Sequence, residues 1–364
     1  MKTFELLHKD SNTNARLGVL RCAHGQVETP AFMPVGTAGA VKGLTAEQLQ
    51  KCGAQMILAN TYHLFLRPGV EVVEQLGGLH NLMAWKKPIL TDSGGYQIFS
   101  LNSLTNLSDD GVEFASHIDG RKIYLTPELA TNIQNKLGSD VAMCLDECVS
   151  LPCDRQRAAE AAARTLRWAV RCREVHDNKD QLLFAITQGG TEKDLRQKCS
   201  EELLKFDFDG YAIGGLGVGE TRDSLLATVE ACTEVLPQDK PRYLMGIGMP
   251  SDIIAAVRRG VDMFDCVIPT RNGRNAFAFT TAGPVRLRNA CHTDSTDPIA
   301  DDCDCYTCRN YSRGALRHFF NVSEMLGPIL TSLHNVHFFQ RLMAEIRHKI
   351  KTGDFESDCN GTAF

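Results

Sequence analysis

Short apolar runs that end in glycine or polar residues recur along the chain, and this repeat most constrains its fold. Runs of this length without alternation are typical of strands buried on both faces of a parallel sheet. We expect such strands at 33–37, 55–60, 88–92, 141–146, 182–188, 210–215, 243–246 and 263–268. Helical patterns separate most of them, at 45–52, 127–137, 155–176, 192–205 and 251–260. Strand and helix repeated eight times predict an α/β fold, a (β/α)8 TIM barrel.

The composition indicates one large domain. The 364 residues are 43% hydrophobic, which is enough for a sizeable core, and no linker-like, low-complexity or repeated segment divides them. We therefore predict a single barrel domain over 1–364, with a zinc-binding subdomain inserted near the C-terminus at about 286–351.

Three cysteines lie close together as Cys303, Cys305 and Cys308. Three thiolates and one imidazole supply the four soft ligands of a closed structural Zn²⁺ site, which suits this spacing better than a disulfide or a chance cluster. We predict His334 as the fourth ligand, because a helical stretch opening at Thr331 would hold it rigidly in its first turn. Other candidates within reach are Cys291, His292, His318 and His337.

The remaining cysteines predict a reducing compartment. Most of the 14 cysteines sit singly in apolar or helical contexts, as they do in reduced cytosolic proteins. The N-terminus lacks the apolar stretch of a signal peptide, and no run approaches the ~18 apolar residues of a membrane span. We therefore expect a cytoplasmic protein with no membrane partner.

The formal net charge of −5 means that nucleic-acid binding would need a local basic patch. Between 306 and 351 there are seven Arg and Lys residues and two Glu residues. A solvated helix face is the alternative explanation, but further arginines just upstream favour contact with phosphates. These arginines are Arg271, Arg274, Arg286 and Arg288.

The predicted strand ends are polar, and barrel enzymes build their active sites at the carboxyl ends of the strands. Any one of these residues could be a loop cap. Together, three aspartates, an amide and exposed glycine backbone can hydrogen-bond a flat polar heterocycle. The strand-end residues are Asp92, Asp146, Glu147, Gln188, Gly214, Gly215, Met245, Gly246 and Asp265.

Several long motifs in the chain resemble those of one known family. They are TDSGGYQ at 91–97, LDEC at 145–148, QGG at 188–190, GGLGVGE at 214–220, MFDCVIPTRNGR at 263–274, and the cysteine cluster with LHN at 333–335. This set, in this order from about 33 to 351, is similar to that of the bacterial-type tRNA-guanine transglycosylases.

The resemblance implies a base exchange in tRNA. Guanine at the anticodon wobble position of tRNAs with a U-G-U core (Asp, Asn, His, Tyr) would be replaced by 7-aminomethyl-7-deazaguanine (preQ1), in queuosine biosynthesis. Asp265 would be the nucleophile that forms a covalent aspartyl-ribose intermediate, and Asp92 the general acid and base. Asp262 is disfavoured as nucleophile, because strand alternation turns it to the opposite face at the start of its strand.

The same resemblance assigns the residues that recognise the base. Asp146 would accept the two donors of guanine at N1 and the 2-amino group, and Gln188 with the Gly215 N–H would donate to O6. Tyr96 and Met245 would sandwich the ring, although each alone could be ordinary core.

The choice of incoming base rests on fewer residues. Cys148 and Val218 resemble the bacterial pocket for 7-aminomethyl-7-deazaguanine, and the Leu216 carbonyl and Glu220 would receive its cationic aminomethyl group. Enzymes for the bulkier queuine resemble this pattern with glycine in place of Val218. Gly217 loosens the neighbouring backbone, so salvage of queuine on the same tRNAs is the alternative.

The family also implies a homodimer, but Ala315 stands where its contact helix usually has a bulky aromatic, a typical interface anchor.

Three other functions compete with the transglycosylase. A non-catalytic zinc-containing tRNA-binding relative should lack one of the carboxylates Asp92 and Asp265. A small-sugar glycosidase has no use for a zinc unit beside an arginine-rich helix, and a metal-dependent hydrolase would carry metal ligands at the strand ends.

Overall fold

The computed structural model describes residues 2–101 and 105–355, which fold around a closed barrel. The strands are β1 Phe4–Lys9, β2 Arg16–Cys22, β3 Gly25–Thr29, β4 Ala31–Gly36, β5 Ile57–Ala59, β6 Ile89–Thr91, β7 Thr105–Leu107, β8 Val112–Ala115, β9 Lys122–Leu125, β10 Val141–Met143, β11 Leu182–Thr187, β12 Gly210–Ile213, β13 Arg242–Leu244, β14 Met263–Cys266, β15 Phe277–Ala278 and β16 Val285–Arg286.

The helices lie mostly between the barrel strands and pack on their outer side. They are α1 Ala46–Lys51, α2 Thr61–Leu66, α3 Val70–Gln75, α4 Gly78–Leu82, α5 Gly95–Leu101, α6 Pro127–Leu137, α7 Arg155–Val175, α8 Lys193–Leu203, α9 Arg222–Thr233, α10 Pro250–Val257, α11 Ile268–Arg274, α12 Tyr306–Asn310, α13 Arg313–Asn321 and α14 Leu326–Thr352. None of the helices within these described residues is long and apolar enough to cross a membrane.

The eight predicted strands form the barrel, in the order β4, β5, β6, β10, β11, β12, β13, β14. Every neighbouring pair is parallel, and β14 pairs with β4 to close the ring. The prediction of a (β/α)8 barrel is therefore confirmed. Closure brings the carboxyl ends of strands far apart in the sequence to one mouth.

Large side chains fill the barrel interior. Met33, Phe184, Tyr243 and Met263 are all fully buried there. Phe184 also explains Gly210, because a Cβ at that glycine would come within 2.6 Å of the phenyl ring. The interior of the barrel is thus a packed core.

Small elements that the strand and helix patterns did not predict close the ends of the barrel. The antiparallel sheet β1–β2–β3 lies at the amino ends of the strands, where Arg16 and Asp262 form a buried ion pair of 2.5 Å. A second antiparallel sheet, β7–β8–β9, follows α5. Strands β2, β8 and β9 alternate between buried and less buried residues, so a search for unbroken apolar runs does not find them.

The C-terminal helices pack against the closing side of the barrel, where α14 contacts α11 and β4. The helix that carries His334 begins at Leu326, so this histidine lies in the middle of α14 and the predicted first-turn position is wrong. Gly327 and Pro328 do not delay the start, because Pro is well tolerated in the first turn of a helix.

Candidate active site and metal cluster

A cavity of about 370 Å³ opens at the carboxyl ends of the barrel strands. Its walls combine carboxyl groups with apolar side chains and glycine backbone, as expected for a site that takes a flat polar ligand. Among its lining residues are Asp92, Asp146, Asp265, Tyr96, Met245, Cys148, Gly215 and Leu216. Eight of the predicted catalytic and base-binding residues thus surround one space.

Asp265 stands at the end of β14 with one carboxylate oxygen held on two sides. Its Oδ1 accepts hydrogen bonds from the Tyr243 hydroxyl at 2.6 Å and from the Gly246 N–H at 2.8 Å. Burial raises the pKa of this carboxyl group, and the bonds from Tyr243 and Gly246 act in the opposite direction. These two bonds fix the orientation of the group, and no side chain or backbone group among the described residues bonds to its Oδ2.

Asp92 follows β6 on the same cavity wall. Its Oδ1 accepts the Thr61 N–H at 2.9 Å, and its Oδ2 accepts the Asn60 amide through a very short bond. The pKa of Asp92 is raised to about 7, chiefly by burial and in addition by the charges of Asp265 and Asp146, while the bond from Thr61 acts in the opposite direction. Such a group exchanges protons readily near neutral pH, as a general acid and base must.

Asp146 is the most buried of the three acids and lies at the floor of the cavity. It accepts the Ser93 hydroxyl at 3.1 Å and the Gln188 amide N–H at 2.7 Å, while burial raises its pKa. The Gln188 amide oxygen is buried and has no hydrogen-bond partner among the described residues. Gln188 is not among the residues that line the cavity, so it stands behind Asp146 and not on the cavity wall.

The Gln188 side chain packs against the backbone of the next strand end. A Cβ at Gly215 would lie only 2.4 Å from the Gln188 amide oxygen, and Gly215 has φ +66°. Glycine is needed here for both reasons, since larger residues rarely adopt this conformation and would clash.

The predicted sandwich residues Tyr96 and Met245 both line the cavity, and Tyr96 is 50% exposed. A large aromatic ring left half exposed at a cavity mouth is available to stack on a ligand. Cys148 is buried beside them, and burial raises the pKa of its thiol to about 12. Cys148 therefore acts as a neutral, small packing group in this cavity.

Glu220 lies outside the lining of the cavity and holds its rim instead. Its carboxylate accepts the backbone N–H of Gly217 at 2.5 Å and of Val218 at 3.1 Å. The turn that carries the Leu216 carbonyl is therefore fixed from behind by a charged side chain.

The predicted tRNA-binding arginines lie on α11, the helix that follows directly after β14. Arg271 is exposed, whereas Arg274 is partly buried, and burial lowers the pKa of Arg274. Both follow Asp265 on the helix that begins directly after β14, and neither is among the residues that line the cavity.

The C-terminal arginines are largely committed to the protein itself. Arg313 donates to the carbonyls of Pro298 and Ile299, and Arg341 pairs with Asp302 at 2.6 Å. Arg347 donates to the Pro30 carbonyl at 2.8 Å. The arginines between 306 and 351 therefore serve packing in part, and fewer of their side chains are left to contact an external phosphate.

The metal cluster is formed by the four predicted residues Cys303, Cys305, Cys308 and His334, whose ligand atoms all lie within 4.8 Å of one another. The His334 Nδ1 is 3.6, 3.6 and 3.3 Å from the three sulfurs. A tetrahedral ion with bonds of about 2.0–2.3 Å requires ligand separations of this size.

Two further observations fit a metal ion. His334 donates its Nε2 proton to the Phe279 carbonyl at 2.8 Å, which leaves Nδ1 as a lone-pair donor facing the thiols. Bonds from the neighbouring thiols lower the pKa of Cys303 and so favour a thiolate. Of the alternative ligands, His337 pairs with Asp304 at 2.9 Å and Cys291 is exposed, outside the cluster.

Sequence reasoning missed residues that hold the predicted ones in place. Asn60 and Tyr243 bond to Asp92 and Asp265, and His63 lines the cavity. Asn60 ends a predicted strand, so its position was a usable signal. Tyr243 begins its strand and reaches the site from inside the barrel, which the strand pattern does not reveal.

Comparison with known proteins agrees with the motifs. The model of the family described as Queuine tRNA-ribosyltransferase matches residues 10–363. The Queuine tRNA-ribosyltransferase of Thermoanaerobacter pseudethanolicus is 52% identical over 349 residues, covering 96% of this chain and 93% of that protein. That of Pelotomaculum thermopropionicum is 51% identical (96% and 95% covered), and that of Moorella thermoacetica 49% identical (97% and 95%). The chain therefore belongs to the queuine tRNA-ribosyltransferase family.

Proposed function

We propose that the protein is a tRNA-guanine transglycosylase that exchanges guanine at the wobble position of U-G-U anticodons for 7-aminomethyl-7-deazaguanine. The observation that carries the proposal is the convergence of Asp92, Asp146 and Asp265 on one cavity in a chain of this family. A non-catalytic tRNA-binding relative would have no need of two carboxyl groups with raised pKa facing one cavity.

Asp265 is the proposed nucleophile. Its free Oδ2 would attack the anomeric carbon of the ribose, forming a carbon–oxygen bond as the bond to guanine breaks. Tyr243 and Gly246 hold the other oxygen, which limits rotation of the carboxylate during the attack. The incoming base then displaces the aspartate, so two inversions retain the configuration of the sugar.

Asp92 is the proposed proton carrier. With a pKa of about 7 it holds a proton in a large fraction of molecules at neutral pH and can give it to the departing guanine. The resulting carboxylate can then remove the corresponding proton from the incoming base. The exchange is therefore balanced in protons, and neither ATP nor a redox cofactor takes part.

The base would lie between Tyr96 and Met245. We propose that Asp146 accepts its N1 and 2-amino protons, while Gln188 and the Gly215 N–H donate to O6. The aminomethyl group of the incoming base would reach the Leu216 carbonyl, with the negative charge of Glu220 behind that turn.

Queuine is the second candidate base, and the relatives are named for it as queuine tRNA-ribosyltransferases. Val218 at the cavity rim opposes it, because queuine carries a bulky substituent where the aminomethyl group is small. We therefore place 7-aminomethyl-7-deazaguanine first.

We further propose Zn²⁺ as the ion of the Cys303, Cys305, Cys308 and His334 cluster, since it prefers three thiolates and an imidazole. Bound there it would have a structural role, joining α12 to α14 within a zinc-binding subdomain at about 286–351 of a single domain over 1–364. Residues 356–364 of that predicted domain lie outside the described residues.

Arg271 and Arg274 would contact tRNA phosphates beside the mouth.

A homodimer is also part of the proposal, because the segment from α12 to α14 exposes Tyr306, Val322 and Met325, at 55%, 58% and 74% of their surfaces. Ala315 removes one aromatic anchor from that surface.

A cytoplasmic location is supported by the thirteen described cysteines, none of which forms a disulfide.

Exchange of radiolabelled guanine in a tRNA with a U-G-U anticodon tests the function. Wild type should incorporate the label and release it when 7-aminomethyl-7-deazaguanine is added, with queuine less effective, whereas Asp265→Asn should neither incorporate nor release it. Exposed Asp239→Asn serves as the matched control. Binding of tRNA without any exchange would support the non-catalytic relative instead.

A further inference from the structure

Arg196 lies on α8 behind the active-site mouth and is completely buried. Its guanidinium donates three hydrogen bonds, each of 2.8 Å, to main-chain carbonyls. Nε binds the carbonyl of Gly190, and Nη1 binds those of Thr187 and Gly214. Its Nη2 is buried with no partner among the described residues.

These carbonyls flank the two groups assigned to O6 of the base. Thr187 precedes Gln188 at the end of β11, and Gly214 precedes Gly215 at the end of β12. One guanidinium therefore spans two neighbouring strand ends. Helix α8 adds a second support, because the Gln188 N–H points to the Cys199 sulfur at 3.4 Å.

Burial of a cation against carbonyl dipoles alone is costly. An apolar side chain would fill the same space at lower cost if packing were the sole requirement. A planar guanidinium, in contrast, fixes several acceptors at set distances, which a single ammonium cannot do.

We infer that Arg196 is a positioning residue for the base: it sets the spacing between the Gln188 amide and the Gly215 N–H, and thereby the affinity for guanine and its 7-deaza analogues. This inference rests on the proposed function. Binding sites of this kind require placement within ~0.5 Å, so a loosened pair of strand ends weakens base binding first.

The chain offers a matched control in Arg16. Arg16 is equally buried, at 2% exposure, and also donates to two carbonyls, those of Gln238 and Lys240. It lies at the amino ends of the strands and pairs with Asp262, far from the cavity. Arg16→Lys should therefore lower the stability without altering base affinity.

The experiment measures guanine KM, kcat and tRNA KM for wild type, Arg196→Lys, Arg196→Met and Arg16→Lys, with guanine binding followed independently by calorimetry. Both Arg196 variants should raise guanine KM and Kd about tenfold or more, with kcat and tRNA KM changed by less than about threefold. In a third variant at this position, Arg196→Ala, added guanidinium should recover part of the affinity for guanine that the substitution removes. Arg196→Met removes the buried charge, so at least one variant should remain folded.

Two results would distinguish failure of the positioning role from failure of the proposed function. Folded Arg196 variants with wild-type guanine affinity and reduced thermal stability would overturn the positioning role and leave a purely structural one. A wild type that neither binds nor incorporates guanine would overturn the proposed function, and the inference with it.

Discussion

The Tyr243 hydroxyl donates a hydrogen bond of 2.6 Å to Asp265 Oδ1 from within the barrel core. The two residues lie on neighbouring strands and are 22 positions apart in the sequence. This bond lowers the pKa of Asp265 against the effect of burial, while burial and the neighbouring Asp265 raise the pKa of Tyr243. The phenol thus remains a donor throughout the working pH range.

Tyr243→Phe should therefore make Asp265 harder to ionise. We expect the acidic limb of the pH–kcat/KM profile to move to higher pH, with activity near neutral pH several-fold lower. Tyr211→Phe is the control, since the Tyr211 hydroxyl bonds to the Phe206 carbonyl away from the cavity. An unchanged acidic limb would show that this hydrogen bond does not set the ionisation of Asp265.

Asp92 links protonation to stability. Its ordinary pKa of 3.8 rises to about 7 on folding, so its contribution to stability is full below pH ~4 and is lost as the pH rises towards 7. An asparagine at this position does not titrate, so the Asp92→Asn variant should not lose stability in this way as the pH rises. Wild type should lose stability relative to the variant between pH 4 and 8, by on the order of a few kcal/mol in urea unfolding. Parallel curves for the two proteins would contradict the raised pKa, and Asp239→Asn provides an exposed control.

Metal binding at the cluster should contribute to the free energy of folding. Cys305→Ser removes one of four ligands, so we expect metal content to fall from about one equivalent to near zero and Tm to drop by about 10 °C or more. Cys291→Ser changes an exposed thiol outside the cluster and should alter neither value. Full metal content in Cys305→Ser, measured by elemental analysis, would show that the cluster is not the site.

Val218 should restrict the size of the incoming base. Val218→Gly enlarges the cavity rim, and we expect the ratio of kcat/KM for queuine over 7-aminomethyl-7-deazaguanine to rise about tenfold or more. Val218→Ala should fall between the two proteins, while guanine exchange stays near the wild-type rate. Equal ratios in all three proteins would mean that another residue selects the base.

The sequence predicted the site best where chemistry follows a strand end. Asp92, Asp146 and Asp265 could be assigned to one mouth because parallel strands in a closed barrel share the same polarity. The three cysteines were equally clear, since their spacing alone brings the ligands together. Glu220 was placed on the correct segment, but its bonds to the Gly217 and Val218 N–H groups depend on a turn that the sequence does not reveal.

The sequence by itself determined the alternation of strands and helices, the cysteine cluster and the acids at the mouth, because each is encoded within a few neighbouring residues. The tertiary structure alone decided which groups support them: Arg16 on Asp262 across 246 positions, Tyr243 on Asp265, and Arg196 beneath two strand ends. The physical reason is that a side chain's burial and hydrogen-bond partners are set by barrel closure. Closure joins strands that are distant in the chain, and no local pattern records which side chains then meet.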